Sequence, residues 1–226
     1  MKTSIITIAA LGMSALAAGA QEKEPKTGTI ELFNGKNLKG WTHFLVEKDV
    51  KKKDVWSVKD GVLVCKGEPL GYLQTKDSFE SFRLQLDWRW APGGEPGNSG
   101  VLFRIEGKAK SILPRCVEAQ LKSGDAGDIW AFYGTKVSGP EDRAKVVKDH
   151  ELLGDFMGVA KIKGAEKKPG EWNSYDITVK GGDITVKVNG ELVNEATGMN
   201  VVSGPIGLQS EGGEIHFRNV KLTPIK

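Results

Sequence analysis

The chain has 226 residues, 39% of them hydrophobic and 27% charged, with 32 basic against 29 acidic side chains and only two cysteines. The near balance of charge, with the basic residues scattered apart from Lys51-Lys52-Lys53, excludes a nucleic-acid footprint, and two cysteines exclude a disulfide scaffold. A length of this order suits one large all-β domain, which can run to about 200–250 residues.

The chain opens with Met1-Lys2-Thr3, an apolar run from Ile5 to Ala18 and the small-residue exit Ala18-Gly19-Ala20. This pattern reads as a secretory signal peptide over 1–20. The run is short of the roughly 20 residues a spanning helix needs. Export to the periplasm or medium is expected, with no membrane attachment after cleavage. Residues 21–28 read as a loose polar leader, and 29–226 as a single domain.

Asn34-Gly35 marks a turn. Trp56 to Val64 reads as strand, Asp60-Gly61 hairpin, strand, and Gly71 to Thr75 as a short strand. In Phe82 to Trp90, Phe82, Leu84, Leu86, Trp88 and Trp90 alternate with Arg83, Gln85, Asp87 and Arg89. A Gly/Pro loop, Ala91 to Gly97, leads into Asn98-Ser99-Gly100-Val101-Leu102-Phe103-Arg104. Strand side chains alternate faces, so Val101, Phe103 and Ile105 are expected on one side and Leu102, Arg104 and Glu106 on the other. Cys116 to Leu121 repeats the pattern, with Glu118 and Gln120 sharing a face. The three runs are expected side by side in one sheet with a polar outer face. Cys65 and Cys116 lie in strand-like runs and read as buried thiols, a bridge between them being the alternative.

From Ser123 to Gly170 the periodicity weakens, as in a rim loop or lid. Asp125 and Asp128 could hold a hard cation through their carboxylates, although two Asp with Gly more often make a turn. His150 could swing over a site as acid or base. Alternation returns in Trp172 to Lys180, Ile184 to Val193, Gly204 to Ser210 and Glu214 to Leu222. With no long amphipathic helix and many short strands, the pattern points to a β-sandwich.

A sheet surface carrying Arg104, Glu118, Gln120, Gln209 and Glu211 suits a polyhydroxylated ligand, because hydroxyls need donors and acceptors together. An ordinary solvated face with weak surface ion pairs would show the same alternation.

Taken in order, a set of short motifs is more specific. It includes Leu32-Phe33-Asn34-Gly35, Leu38-Lys39-Gly40-Trp41, Gly71-Tyr72-Leu73, Asp87-Trp88-Arg89 and Asn98-Ser99-Gly100-Val101 with Arg104. Glu118 with Gln120, Gly127-Asp128, Gly170-Glu171-Trp172-Asn173 and Gly207-Leu208-Gln209-Ser210-Glu211-Gly212 complete it. Together they resemble the bacterial 3-keto-disaccharide hydrolase domain, also described as a 3-keto-glucoside lyase/hydratase. The resemblance runs from about Thr29 to Lys221. It implies a concanavalin A-like jelly roll of two antiparallel sheets, the concave one binding carbohydrate. It also implies a substrate that is a glycoside oxidised to a ketone at carbon 3.

Such a ketone acidifies the hydrogen on carbon 2, and the resulting enolate can expel the glycosidic oxygen from carbon 1. Water can then add to the unsaturated sugar. The chemistry needs a base, donors to the enolate oxygen and a proton for the leaving group. Glu118 is expected as base or metal ligand, Arg104 as the oxyanion-side donor and His150 as a further acid or base. Asn98, Gln120, Asp128, Gln209 and Glu211 are expected to bind substrate. No metal ligand set and no cofactor are assigned, though a divalent cation could bind. A lectin-like module and a conventional glycoside hydrolase of the same fold are the alternatives. The absence of a Glu-x-Asp-x-x-Glu pattern around Glu118 counts against the second.

Overall fold

The structure, a computed structural model, describes residues 28–226. The signal-peptide segment 1–20 and nearly all of the leader lie outside the described residues. In chain order the strands are β1 (Ile30–Glu31), β2 (Trp41–Leu45), β3 (Trp56–Lys59), β4 (Val62–Cys65), β5 (Gly71–Thr75), β6 (Phe82–Trp90), β7 (Gly100–Glu106) and β8 (Arg115–Gln120). They continue with β9 (Ile129–Phe132), β10 (Ala144–His150), β11 (Gly154–Val159), β12 (Asn173–Lys180), β13 (Asp183–Val188), β14 (Glu191–Ala196), β15 (Gly207–Ser210) and β16 (Ile215–Pro224).

They form two antiparallel sheets. The first runs β14-β13-β12-β6-β16-β4-β3 with β1 added on β16; the second runs β10-β11-β9-β8-β7-β15-β5-β2. The inner faces meet in one apolar core. Phe82, Leu84, Leu86, Trp88 and Trp90 enter it from β6, Tyr175, Ile177 and Val179 from β12, and Phe217 from β16. Val101, Phe103, Val117, Ala119 and Leu208 enter from the second sheet. Each such side chain removed from water contributes about 1.5–3 kcal/mol, so the alternation fixes which face of every strand turns inward.

One expectation is corrected. β6 is not a neighbour of β7 and β8: it lies at the middle of the first sheet, paired with β12 and β16. The Gly/Pro loop after it carries the chain across to the other sheet, so the polar side chains of β6 lie on the opposite outer surface. There Arg83 bonds Asp176 and Arg218 bonds Asp87 at 3.0 Å. The segment 123–170, where the periodicity weakens, holds three strands. The hairpin β10–β11 pairs through β11 with β9 and widens the second sheet. Cys65 and Cys116 are buried free thiols in different layers, Cys65 in the core between the sheets and Cys116 in a second cluster.

Candidate active site

On the outer face of the second sheet the registers line side chains up in rows across the strands. One row reads Gln74, Gly207, Leu102, Glu118, Trp130, Gly158, from β5 to β11. The next reads Tyr72, Gln209, Gly100, Gln120: Tyr72 pairs with Gln209, and Gly100 with Gln120. The pairing of Leu208 with Val101 brings Gln209 beside Gly100. Asp128 ends this row, its carbonyl accepting Gln120 N–H at 2.9 Å.

Gly100 is the space around which the site is built. A β-carbon there would stand 2.0 Å from Glu118 Oε1. The Glu118 side chain therefore leans from its own row over Gly100, and its carboxylate lies between Gln209 and Gln120. Those two residues stand two strands apart, roughly 10 Å at about 4.8 Å per strand.

Glu118 is 2% exposed, and Gln209 likewise. Glu118 Oε1 and Gln209 Oε1 are buried with no hydrogen-bond partner among the described residues, as are Asn98 Oδ1 and Gln74 Oε1. A buried acceptor without a donor costs about 1–3 kcal/mol. Four of them gather on one face and its adjoining loop, where donors from water or from a ligand would complete them.

Glu211 follows β15 directly. Asn98 stands next to it in space, because its N–H donates to Gly212 O at 2.9 Å. Burial pushes the Glu211 carboxyl up to about 7, while a hydrogen bond from Gln209 and the nearby Lys122 ammonium favour its charged form. Burial first, and then the charge of Glu211, holds the Glu118 carboxyl well above the usual range. Negative charge on either carboxyl disfavours charge on the other, the more so away from water.

Gln120 holds its own orientation. Its Oε1 accepts the backbone N–H of Leu121 at 3.0 Å and of Lys122 at 2.9 Å.

The remaining expected residues are elsewhere or occupied. Arg104 does not face Glu118. A bulge between Phe103 and Glu106 gives Arg104 a φ of 53° and breaks the alternation. Ile105 is thereby moved onto the outer face beside Leu102. The Arg104 guanidinium, 1% exposed, turns the other way and donates to Gly181 O and Asn200 O. It braces the β12–β13 turn, and the expected oxyanion donor is not at the site.

His150 sits at the tip of the β10–β11 hairpin, where its Nδ1 accepts Leu152 and Leu153 N–H at 3.3 Å. β10 is three strands from β8, roughly 14 Å away before any offset along the strand, so His150 is out of reach of Glu118.

Asp128 shares the outer face, but both its oxygens are taken, by Lys145 Nζ at 3.0 Å and Lys161 N–H at 2.8 Å. Lys161 Nζ also reaches Asp125 at 3.1 Å. Where a hard cation was considered, lysine ammonium groups stand. Among the described residues no group of three or more His, Cys, Asp or Glu side chains is placed to hold a metal ion.

Beside Glu118 the outer face becomes apolar. Tyr72, Leu102, Ile105, Cys116 and Phe132 form a second buried cluster with Ile112 and Leu113 of the loop after β7 and Leu153 of the β10–β11 turn. Ser111 ties that loop down, bonding Tyr133 Oη at 2.7 Å and Leu152 O.

Three residues escaped the sequence reading. Gly100 contributes only the absence of a side chain. Gln74 was detectable, since it shares a face with Tyr72 two positions earlier. Trp130 lies in a four-residue strand too short for its alternation to stand out.

Two antiparallel sheets with a buried, acid-bearing outer face define a jelly-roll sandwich of the concanavalin A-like type. The chain belongs to the family of 3-keto-alpha-glucoside-1,2-lyase-like domains, whose model matches residues 28–223. It is similar to a 3-keto-disaccharide hydrolase of Bacteroides thetaiotaomicron, 23% identical over 245 residues, covering 86% of this chain and 78% of that protein. Among solved structures, a candidate glycosyl hydrolase of Parabacteroides distasonis superposes with a TM-score of 0.63 at 25% identity, over 88% of this chain and 94% of that one. A carbohydrate-binding module of Bacillus subtilis shares the fold, with a TM-score of 0.57 at 16% identity over 80% and 94% of the two chains.

Proposed function

We propose that the protein is an exported enzyme that cleaves 3-keto-glycosides by removing the proton from carbon 2, expelling the aglycone and hydrating the product. The observation that carries this reading is the pair of buried Glu118 and half-buried Glu211 on a face rich in amide groups. The family and the name of the Bacteroides relative support the substrate class, and the segment 1–20 supports export.

The surroundings of the pair assign the roles. Glu211, half-buried and with its charge supported by Gln209 and Lys122, is the base; Glu118, buried and without such support, keeps its proton and is the acid. Glu211 takes the carbon-2 proton, and the C–H electron pair becomes the carbon-2–carbon-3 double bond as the ketone oxygen takes up the charge. That charge then returns to the carbonyl, carbon 1 and carbon 2 become double-bonded, and the bond from carbon 1 to the aglycone breaks. Glu118 protonates the departing oxygen. Each carboxyl has now exchanged its state. Hydration restores both, with Glu118 taking a proton from water as it adds to carbon 1 and Glu211 returning its proton to carbon 2. This replaces the expected role of Glu118 as base.

The test compares a 3-keto-glucoside with the same glucoside unoxidised. Aglycone release from the keto form alone is expected, with kcat/KM rising with pH to a midpoint near 7 as Glu211 ionises. Glu118→Gln and Glu211→Gln should each lose about 10²–10⁴-fold in activity. The same carboxylate pair also favours a second reading, conventional glycoside hydrolysis. Release from the unoxidised glucoside would establish that instead, and tight binding without any release would leave a lectin.

A further inference from the structure

We propose that Gln120 is the side chain that reads the ketone: its amide nitrogen donates to the oxygen on carbon 3 and to the enolate oxygen formed there. The assignment rests on the reaction proposed above.

The amide has one orientation. Backbone N–H groups only donate, so the end of the Gln120 amide that meets two of them, at 3.0 and 2.9 Å, is its oxygen. Its Nε2 is a donor only and meets no acceptor among the described residues. Across Gly100 the chemistry is reversed. Gln209 Oε1 is a buried acceptor without a donor, as are Asn98 Oδ1 and Gln74 Oε1.

A 3-keto sugar presents several hydroxyls, which donate, and one ketone, which only accepts. Hydroxyls satisfy the orphaned acceptors on the Gln209 side. The ketone there would set lone pair against lone pair, whereas beside Gln120 it meets a donor already fixed by the backbone. As Glu211 removes the carbon-2 proton, charge grows on the ketone oxygen and the Gln120 hydrogen bond strengthens. No proton leaves the amide, and the bond relaxes when the charge flows back and the aglycone departs. Preorganised donors of this kind act where charge develops and need no rearrangement as it forms. Arg104, the donor expected from the sequence, is turned into the sandwich instead.

The experiment uses the full-length protein and the variants Gln120→Glu and Gln120→Ala. Gln120→Glu keeps an oxygen for the two backbone N–H groups while removing the donor; Gln120→Ala removes the whole amide. Three quantities are measured: kcat/KM on a 3-keto-glucoside, exchange of its carbon-2 hydrogen with solvent deuterium, and calorimetric binding of the unoxidised glucoside. Both variants should lose about 10²–10³-fold in turnover and in exchange. Gln120→Ala should bind the unoxidised glucoside within about threefold of wild type. Wild-type exchange in both variants would overturn the assignment, as would a loss of affinity for the unoxidised glucoside as large as the loss in kcat/KM on the keto form. A wild-type protein that fails to distinguish the two glucosides would overturn the underlying reaction instead.

Discussion

Gly100 shows how one residue can matter by what it leaves out. Its backbone is ordinary, so alanine is tolerable in conformation; the added β-carbon would press on the end of the Glu118 side chain, 2.0 Å from Oε1 and 2.5 Å from the carboxyl carbon. A flexible side chain yields more easily than backbone, so the fold should survive and the carboxylate should move. Gly100→Ala is expected to melt close to wild type while losing about a hundredfold in turnover, the scale of a 1 Å misplacement. Gly97→Ala is the contrast: its β-carbon would stand 2.0 Å from Gly212 O, and it should lose stability first. Melting curves beside steady-state rates separate the two. The sequence displayed Glu118, Gln209 and Glu211 as polar positions on alternating strands. It did not display the coupling between Glu118 and Glu211, which arises when two strands with six others between them in the chain come within two places of each other in one sheet.

Among elements, β7 holds the lesson about alternation. Counting by twos along Val101 to Glu106 puts Arg104 on the face of Glu118. One bulge at 104–105 reverses the count and hands that place to Ile105. Nothing in the composition of Phe103-Arg104-Ile105 announces the bulge; what selects it is tertiary, two carbonyls at Gly181 and Asn200 that need a donor from across the sandwich. Arg104→Met should therefore leave both carbonyls unmet, at about 1–3 kcal/mol each. The denaturation midpoint should fall while turnover per folded molecule stays near wild type; a selective loss of turnover would return Arg104 to the catalytic machinery. The strand assignments themselves were legible, because hairpins such as β3–β4 and β12–β13 carry their turn residues with them. The partition of strands between sheets was not. β6 and β7 look like neighbours until the nine-residue connection between them is seen to cross the molecule.

At the scale of the whole molecule, the acidic pair sets activity against stability. Burial raises both carboxyls above their ordinary value of 4.5, Glu211 to about 7 and Glu118 in the same direction. The native state then binds more protons than the unfolded chain between about pH 4.5 and 7, so stability falls as pH rises through that interval. Activity, which needs Glu211 ionised, should rise over the same interval. Melting temperature should decline from pH 5 to pH 8 in the wild type, and the double variant Glu118→Gln/Glu211→Gln should flatten that decline. A parallel decline in both proteins would show that the pair does not govern it.

The apolar cluster beside Glu118 bears on orientation as well. Ile112, Leu113 and Leu153 are core-like residues set on an outer surface, and the Ser111 tether holds their loop in place. Along β8 the apolar cluster lies on the Cys116 side of Glu118, while Gln120 and the exposed Lys122 lie on the other. A sugar resting over Glu118 would have greasy neighbours toward one end and polar ones toward the other, so its two ends are not interchangeable.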